Sequence, residues 1–339
     1  MEIMAAVAYI NDSSDTEYSE IWTVAETEPR RVLSLPRSVG LISPQVALSP
    51  DGTKIAYAHM VGQQQVSIAV LDLNSGTIEE LIDLQLTVPG LLWTPGALNG
   101  GSWSANNQWI HSTLLRSASS SDTGERVDVI LNADNELPPW ELPVDDYFLS
   151  WVPGKPNTFA VLSGSGADMA LVVRSAIDHN IRQVIIPNIL SLTLSDSYKN
   201  GYGAFSYDGR YLALVANDTA YEVHICDIEA IRCWPVNIEF DFPVLVAWSP
   251  DSSWLAYYDD ASYAMSIEPQ PQQWIVPESK NDSTIEPLGW SSNGVLVYRR
   301  TNQLWEANPG VSEEVRLLLD LSKIDAAGKP GPLSIGSLP

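Results

Sequence analysis

The chain is short of basic residues and of long apolar runs. Only 18 of its 339 residues are Lys or Arg, against 42 Asp and Glu, which gives a net charge of −24. Phosphate groups of nucleic acids and anionic membranes need Lys and Arg to neutralise them, so this balance argues against both as partners. No apolar run approaches the ~18 residues that span a bilayer, so we do not expect an integral membrane protein.

Motifs for several kinds of catalysis are also missing. There is no Gly-x-Ser-x-Gly elbow for a serine hydrolase, and no glycine-rich phosphate loop opens a helix. The four histidines form no His-Glu-x-x-His motif and are expected to be ordinary, partly buried residues; they are His59, His111, His179 and His224. We therefore predict no catalytic residues, no metal site and no cofactor.

What the chain does contain is a repeat of strands and turns. Val46 to Leu84 reads as four short strands, rich in β-branched and aromatic residues, separated by three turns. In the first turn, Ser49-Pro50-Asp51-Gly52, Pro presets φ, Asp bonds nearby amides and Gly accepts positive φ. A lone sheet with apolar residues on both faces must pack against others, so the repeat predicts one blade of a β-propeller.

Copies of this unit recur along the chain. Each has an apolar anchor residue just before its first turn, and the anchors are Leu48, Trp103, Trp151, Phe205, Trp248 and Trp290. With three opening strands, these copies predict an all-β, seven-bladed propeller of four-stranded antiparallel blades in a single domain, residues 1–339. The first blade lacks its inner strand, and we assign Gly331–Ser337 to that place, which closes the sheet edge. Six blades is the alternative, if the opening strands fold outside the ring.

Three further expectations depend on local pattern. In the third blade we place the inner strand at Gly101–Ser104, after a long loop from Gln85 to Gly100. Ser312 to Ile324 could pass for an amphipathic helix, but its register matches that of the other outer strands, so we predict a strand. The anchor tryptophans are expected to fill the space between adjacent sheets.

Three segments, VALSPDGTKIAYA, GAFSYDGRYLALVA and LVAWSPDSSWLAYY, resemble the repeats of TolB-type propellers, also called WD40-like or PD40 repeats. The likeness covers nearly the whole chain, but its Ser, Pro, Asp and Gly residues shape turns and form no functional site. TolB itself has an α/β domain without a counterpart here, so its partners are not carried over. The resemblance implies a rigid scaffold, commonly bacterial and extracytoplasmic, that binds a protein, peptide or glycan on one rim.

The only two cysteines lie in the segment YEVHICDIEAIRCWPV. If Ile228 to Ile231 forms the turn, Cys226 and Cys233 face each other across a hairpin, which permits a disulfide. Such a bridge would indicate an oxidising compartment. The opening segment MEIMAAVAYINDSSD has no basic flank and reads as a strand, so we expect an extracytoplasmic protein (periplasmic, secreted or surface-anchored) whose signal sequence is not part of this chain.

The long insertions belong to one face of the predicted propeller and include Gln85–Gly100, Asn132–Asp146 and Pro187–Gly201. Long loops concentrated on one rim indicate that this rim binds a partner. Exposed aromatic residues are expected to supply most of the binding energy. The candidate ligand-binding residues are Trp93, Tyr147, Tyr198, Tyr202, Asp145 and Asp146. The opposing interpretation is that these rings plug the central channel or hold the loops in place.

Two functions therefore stay open. The first is a non-enzymatic, monomeric binding module for a protein, peptide or glycan. The second is a polysaccharide lyase or glycosidase that acts at the channel mouth and needs acidic residues that converge there. The paired acids Asp145-Asp146 and Asp259-Asp260 are expected in loops, where adjacent carboxylates are usually solvated, so we favour binding.

Overall fold

A computed structural model describes most of the chain. The described residues are 3–10, 18–25, 29–36, 45–61, 65–84, 92–95, 103–117, 125–164, 169–186, 203–217, 221–236, 244–259, 261–266, 272–277, 279, 285–311, 315–324 and 329–335. Two compact units are present, Met1–Val144 with Ser322–Ser337 and Asp145–Leu321 with Leu338–Pro339. The expected single domain over residues 1–339 stays a prediction.

The predicted fold class is confirmed. The chain is all-β, and its strands form seven four-stranded antiparallel sheets, the blades of a β-propeller. Among the described residues, the 3₁₀ conformation occurs at Leu321–Lys323 and at Ser279, and there is no α-helix. Nothing helical in this part of the chain has the length and apolar character needed to cross a membrane.

The first unit contains three blades, with strands numbered along the chain. Blade 1 consists of β1 (Ile3–Ile10), β2 (Tyr18–Ala25), β3 (Pro29–Pro36) and the late strand β28 (Lys329–Ile335). Blade 2 consists of β4 (Gln45–Leu48), β5 (Lys54–Val61), β6 (Gln65–Asp72) and β7 (Ile78–Leu84). Blade 3 consists of β8 (Leu92–Pro95), β9 (Trp109–Ser117), β10 (Glu125–Asn132) and β11 (Trp140–Glu141).

The second unit contains four blades. Blade 4 consists of β12 (Asp146–Trp151), β13 (Thr158–Ser163), β14 (Ala170–Ser175) and β15 (Ile181–Ile186). Blade 5 consists of β16 (Gly203–Phe205), β17 (Tyr211–Asn217), β18 (Tyr221–Asp227) and β19 (Arg232–Pro235). Blade 6 consists of β20 (Val244–Trp248), β21 (Trp254–Tyr258), β22 (Ser262–Ser266) and β23 (Gln272–Ile275). Blade 7 consists of β24 (Ile285–Trp290), β25 (Leu296–Arg300), β26 (Gln303–Ala307) and β27 (Val315–Asp320).

Blade 1 is completed by residues from distant parts of the sequence. β28 pairs antiparallel with β1, with Ala5 opposite Ile335 and Val7 opposite Leu333, so the strand order is β28-β1-β2-β3. The predicted inner strand is confirmed, two residues earlier than Gly331–Ser337. β27 likewise confirms the strand predicted between Ser312 and Ile324.

The inner strand of blade 3 differs from the prediction. β8 lies inside the stretch predicted as a loop, and it pairs with the far end of β9, where Trp93 is opposite Arg116. Of the segment predicted as the strand, Trp103 forms an isolated bridge to Ile110. The reason is that β9 is 9 residues long, so the two halves of its inner edge take partners from two separate segments.

The core lies between neighbouring blades, because each sheet has apolar residues on both faces. In the first unit, one cluster joins blades 1 and 2 through Ile21 and Ile55, and another joins blades 2 and 3 through Ile68 and Ile110. In the second unit, equivalent clusters join blade 4 to 5, 5 to 6 and 6 to 7. Removal of these apolar faces from water is the main force that holds adjacent sheets together.

The anchor tryptophans join neighbouring blades by hydrogen bonds as well as by packing. In three blades the indole Nε1 of the anchor tryptophan donates to a backbone carbonyl of the previous blade. The acceptor is the residue immediately before that blade's own anchor. These pairs are Trp103 to Ala47 (3.0 Å), Trp248 to Ala204 (2.7 Å) and Trp290 to Ala247 (2.9 Å). All three side chains are buried, so their predicted role between sheets is confirmed.

Candidate functional site

Three of the predicted site residues lie together at the start of blade 4. Asp145 is exposed, and its carbonyl accepts a hydrogen bond from the amide of Gly164 at 3.0 Å. Asp146 and Tyr147 are the first two residues of β12. The expectation that both acids lie in a loop is therefore wrong for Asp146. This residue pairs with Ser163 of β13, so β12 begins at Asp146.

Alternation along β12 places the next two side chains in different surroundings. Asp146 is buried, whereas Tyr147 is half-buried and packs against the apolar cluster between blades 4 and 5. The ring of Tyr147 thus contributes to the contact between blades, and only part of its surface is open to a ligand.

The Asp146 carboxylate is paired with Arg174 in β14. Its Oδ2 atom lies 2.6 Å from Nε of Arg174, and the two side chains are 2% and 14% exposed. Neither atom has a hydrogen-bond partner, so the contact is an ion pair without an aligned hydrogen bond. Loss of either group would leave the other as an uncompensated buried charge. Arg174 is not among the predicted site residues, although an arginine within the apolar strand ALVVRS is the signal of a buried ion pair.

The other three candidates belong to other parts of the chain. Trp93 belongs to the first unit, where it lies in β8 and not in a loop. Tyr198 and Tyr202 lie outside the described residues. Asp145, Asp146 and Tyr147 are therefore the part of the candidate site whose geometry can be stated.

Blade 3 holds a buried contact between a histidine and a carboxylate. His111 Nε2 lies 2.9 Å from Oδ1 of Asp128, and the same oxygen accepts a hydrogen bond from Thr113 Oγ1 at 2.8 Å. His111 and Asp128 are both buried, which fits the expectation of a structural histidine. Within the described part of the chain, no three His, Cys, Asp or Glu side chains are arranged to hold a metal ion.

Other carboxylates are committed to the first turns of the blades. In each of these turns, the Ser hydroxyl donates to the Asp two residues later, and this Asp accepts a further hydrogen bond from the amide two residues beyond it. We call these residues the turn aspartates; they are Asp51, Asp208 and Asp251. Partial burial raises the pKa of each carboxyl, but the hydrogen bonds outweigh it and hold each pKa below its usual value. These acids are therefore ionised components of the fold.

The predicted disulfide is present in blade 5. Cys226 in β18 and Cys233 in β19 are direct partners in the antiparallel register, and their Cα atoms are 4.0 Å apart. The turn between them includes Ile228 to Ile231, as predicted. Disulfides of this kind persist in oxidising compartments.

Comparison with known proteins supports the fold and goes no further. No family model matches the chain, and no curated protein matches it. Among solved structures, the β-propeller domain of the Trilobed protease from Pyrococcus furiosus has a TM-score of 0.56 at 11% identity, over 96% of this chain and 97% of that one.

Two other solved structures are larger than this chain. Dipeptidyl peptidase 4 from Porphyromonas gingivalis has a TM-score of 0.54 at 12% identity, over 93% of this chain and 50% of that chain. TolB from Acinetobacter baumannii has a TM-score of 0.44 at 18% identity, over 80% of this chain and 63% of that chain. The chain thus spans less than two thirds of either protein. At these identities, the Trilobed protease domain and dipeptidyl peptidase 4 show only that this chain shares the propeller fold. The TM-score of TolB is too low to support an argument.

Proposed function

We propose that the chain is a non-enzymatic binding module that recognises a protein, peptide or glycan through the loop-bearing face of its blades. The observation that carries the proposal is at the start of blade 4, where Asp145 is exposed, Tyr147 two residues later is half-buried, and Asp146 between them is buried against Arg174. An exposed carboxylate and a partly exposed aromatic residue in one short segment can supply polar and apolar contacts of a recognition site. Trp93, Tyr198 and Tyr202 complete the proposed set with Asp146 as a supporting residue.

The alternative function is a polysaccharide lyase or glycosidase at the channel mouth. Most glycosidases place two carboxyl groups on either side of the bond they cleave. In blade 4, one acid of the adjacent pair is 2% exposed and lies 2.6 Å from Nε of Arg174, so its carboxylate is not accessible to a substrate. This arrangement supports binding over catalysis.

We place the protein in an extracytoplasmic compartment and expect a monomer. The Cys226–Cys233 disulfide, formed by the only two cysteines, supports an oxidising environment. The net charge of −24 supports a monomer, because two such molecules repel each other.

The proposal is tested by applying the fluorescently labelled full chain to a glycan array and to a random-peptide array. Asp145→Ala is expected to lower the array signal by about tenfold, the effect of losing one contact of about 1.4 kcal/mol, with an unchanged melting temperature. β11 divides the predicted insertion Asn132–Asp146, and Glu136 is in the connection between β10 and β11, at the end of the blade opposite to the loop-bearing face. Glu136→Ala is therefore the matched control, because Glu136 is also an exposed acid. Its array signal is expected to equal that of the unmodified chain.

Two results would contradict the proposal. A full array signal from the Asp145→Ala chain would show that Asp145 does not contribute to binding, which contradicts the proposed site. The release of new reducing ends or unsaturated sugars from a polysaccharide, measured with the same preparation, would support the lyase or glycosidase in its place.

A further inference from the structure

The inner edge of β1, in blade 1, is the backbone edge to which β28 is attached. On its other side, β1 pairs with β2. Ala5, Ala6 and Val7 of β1 are at most 1% exposed, so this strand is fixed in the blade. The amide and carbonyl groups of an exposed strand edge can hydrogen-bond any extended segment that lies beside them. Whether this edge is open to a partner therefore depends on how firmly β28 is held.

β28 is joined to its blade differently from the other inner strands. In blades 2, 4, 5, 6 and 7, a turn of five or six residues connects the inner strand directly to the second strand. In three of these turns a Ser hydroxyl also donates to the turn aspartate. β28 instead follows blade 7 in the sequence, so the chain does not turn directly from β28 into β1. Its attachment to blade 1 depends on the contacts of the strand itself with β1 and with the neighbouring β4.

The sequence of β28, KPGPLSI, is poorly suited to a hydrogen-bonded ladder. Two of its seven residues, Pro330 and Pro332, have no amide hydrogen to donate. Gly331 between them loses more backbone entropy on pairing than any other residue would. The register with β1 also shifts between Val7 and Tyr9, which interrupts the ladder. The first half of β28 therefore contributes little to the hydrogen bonding that holds the strand.

The aliphatic residues of β28 are only partly buried. Leu333 and Ile335 are half-buried, whereas Val46, Ala47 and Leu48 of the inner strand β4 are at most 1% exposed. The core cluster between blades 1 and 2 contains Val46 and Leu48 but neither aliphatic residue of β28. Burial of apolar surface supplies much of the free energy that holds a strand in place. Detachment of β28 therefore requires less free energy than detachment of β4, which favours local opening at this strand.

We propose that β28 is an exchangeable strand, and that its detachment lets the inner edge of β1 bind an extended segment of another protein by strand addition. β28 itself shows which chemistry the edge accepts. Ile335 is opposite Ala5 and Leu333 is opposite Val7, so the partner segment carries aliphatic residues at two alternate positions. Proline is accepted in the residues that precede them.

The partner segment is neutral or basic. β28 contains Lys329 and no acidic residue, within a chain of net charge −24. Such a chain attracts a cationic segment. The β28 of a second copy fits the edge equally well, but it belongs to a molecule of the same net charge, and the repulsion disfavours it. The site is in the first unit and does not include Asp145 or Tyr147, so this inference goes beyond the proposed function.

The first test follows amide hydrogen exchange of the unmodified full chain by mass spectrometry. After correction for intrinsic rates, fragments that cover Lys329–Ile335 are expected to exchange about tenfold faster or more than fragments that cover Gln45–Leu48. Equal protection of the two inner strands would overturn the proposal, because β28 would then not open separately.

The second test measures the binding of a fluorescein-labelled peptide with the sequence of residues 329–337 to the same chain by fluorescence anisotropy. It is expected to bind about tenfold more tightly, or better, than a control peptide that carries Leu333→Asp and Ile335→Asp. Equal affinity of the two peptides, or no binding of the first, would contradict the proposed recognition of alternate aliphatic residues.

A crosslinked variant distinguishes strand exchange from binding elsewhere on the chain. Ala5→Cys/Ile335→Cys places cysteines at opposite positions of an antiparallel pair, where a disulfide can form. The oxidised variant should bind the peptide about tenfold more weakly or worse, and dithiothreitol should restore binding. The unmodified chain is measured in the same reductant, because its own disulfide is reduced as well.

Glu286→Cys/Arg299→Cys is the matched control, because it crosslinks the inner strand β24 to β25 in blade 7 and should leave peptide binding unchanged. Asp145→Ala should also leave it unchanged, so failure of this inference can be told apart from failure of the proposed function. Peptide binding that persists in the oxidised Ala5→Cys/Ile335→Cys variant would refute strand exchange. Sedimentation that shows a dimer abolished by this crosslink would assign the edge to a second copy, which would equally refute the proposal.

Discussion

Replacement of Trp248 by phenylalanine removes one hydrogen bond between blades 5 and 6 and keeps an aromatic ring in place. The indole Nε1 donates to the Ala204 carbonyl at 2.7 Å, and the ring stacks on Tyr211 with centroids 6.1 Å apart. The carbonyl that loses its donor costs about 1 to 3 kcal/mol. The smaller ring buries roughly 40 Å² less apolar surface, which is about 1 kcal/mol. We therefore expect Trp248→Phe to lower the free energy of unfolding by about 2 to 4 kcal/mol.

The variant is measured by urea denaturation followed by circular dichroism, with Trp254→Phe as the control. Trp254 is a half-buried tryptophan on β21 whose indole makes no hydrogen bond to a described residue. If the 339 residues unfold together, about 2 to 4 kcal/mol corresponds to a decrease in melting temperature of about 3 to 6 °C. Equal losses for Trp248→Phe and Trp254→Phe would refute the reasoning, because ring size alone would then explain both.

Three further outcomes are expected. The free energy of unfolding should be constant from neutral pH to about pH 5 and should fall below about pH 4. The turn aspartates have lowered pKa values in the folded chain, so the stability that their ionised forms contribute is lost as the pH falls through those values. In thermal melts, the triple Asp→Asn variant should lose less stability between about pH 5 and about pH 2 than the original chain, and an equal loss would contradict the assignment. Asp146→Ala should lower the free energy of unfolding by about 3 kcal/mol, because it leaves Arg174 without its carboxylate partner. The control Asp145→Ala should change this free energy by less than about 0.5 kcal/mol. Equal values in urea titrations would exclude the ion pair as a stabilising contact. Reduction of the Cys226–Cys233 disulfide should lower the free energy of unfolding by about 2 to 3 kcal/mol, the value for the short loop that the disulfide closes. Differential scanning calorimetry with and without dithiothreitol measures the effect, and an unchanged melting temperature would refute the prediction.

Most of the fold could be predicted because its signals are local. Alternating apolar residues define strands, and Ser-Pro-Asp-Gly turns mark where a blade begins, so the blade count and the place of β28 followed from spacing. β8 was missed because its residues, LWTP, are few and are surrounded by Gly and Pro, which are typical of loops. Only the pairing with the far end of β9 makes this segment a strand, and that pairing is not encoded in the segment itself.

The candidate site was less predictable because it depends on contacts between strands. The sequence placed Asp145 and Asp146 side by side with nothing to distinguish them, whereas the ion pair with Arg174 in β14 buries one and leaves the other exposed.

The pairing of β28 with β1 has a consequence for synthesis on the ribosome. β1 leaves the ribosome before the other described strands, yet its hydrogen-bonding partner, Lys329–Ile335, is translated roughly three hundred residues later, about 15 to 60 s at ordinary elongation rates. During that interval the inner edge of blade 1 has an open row of amide and carbonyl groups, which is where a chaperone or a neighbouring nascent chain would bind. The blade that is translated first is therefore the last one to become complete.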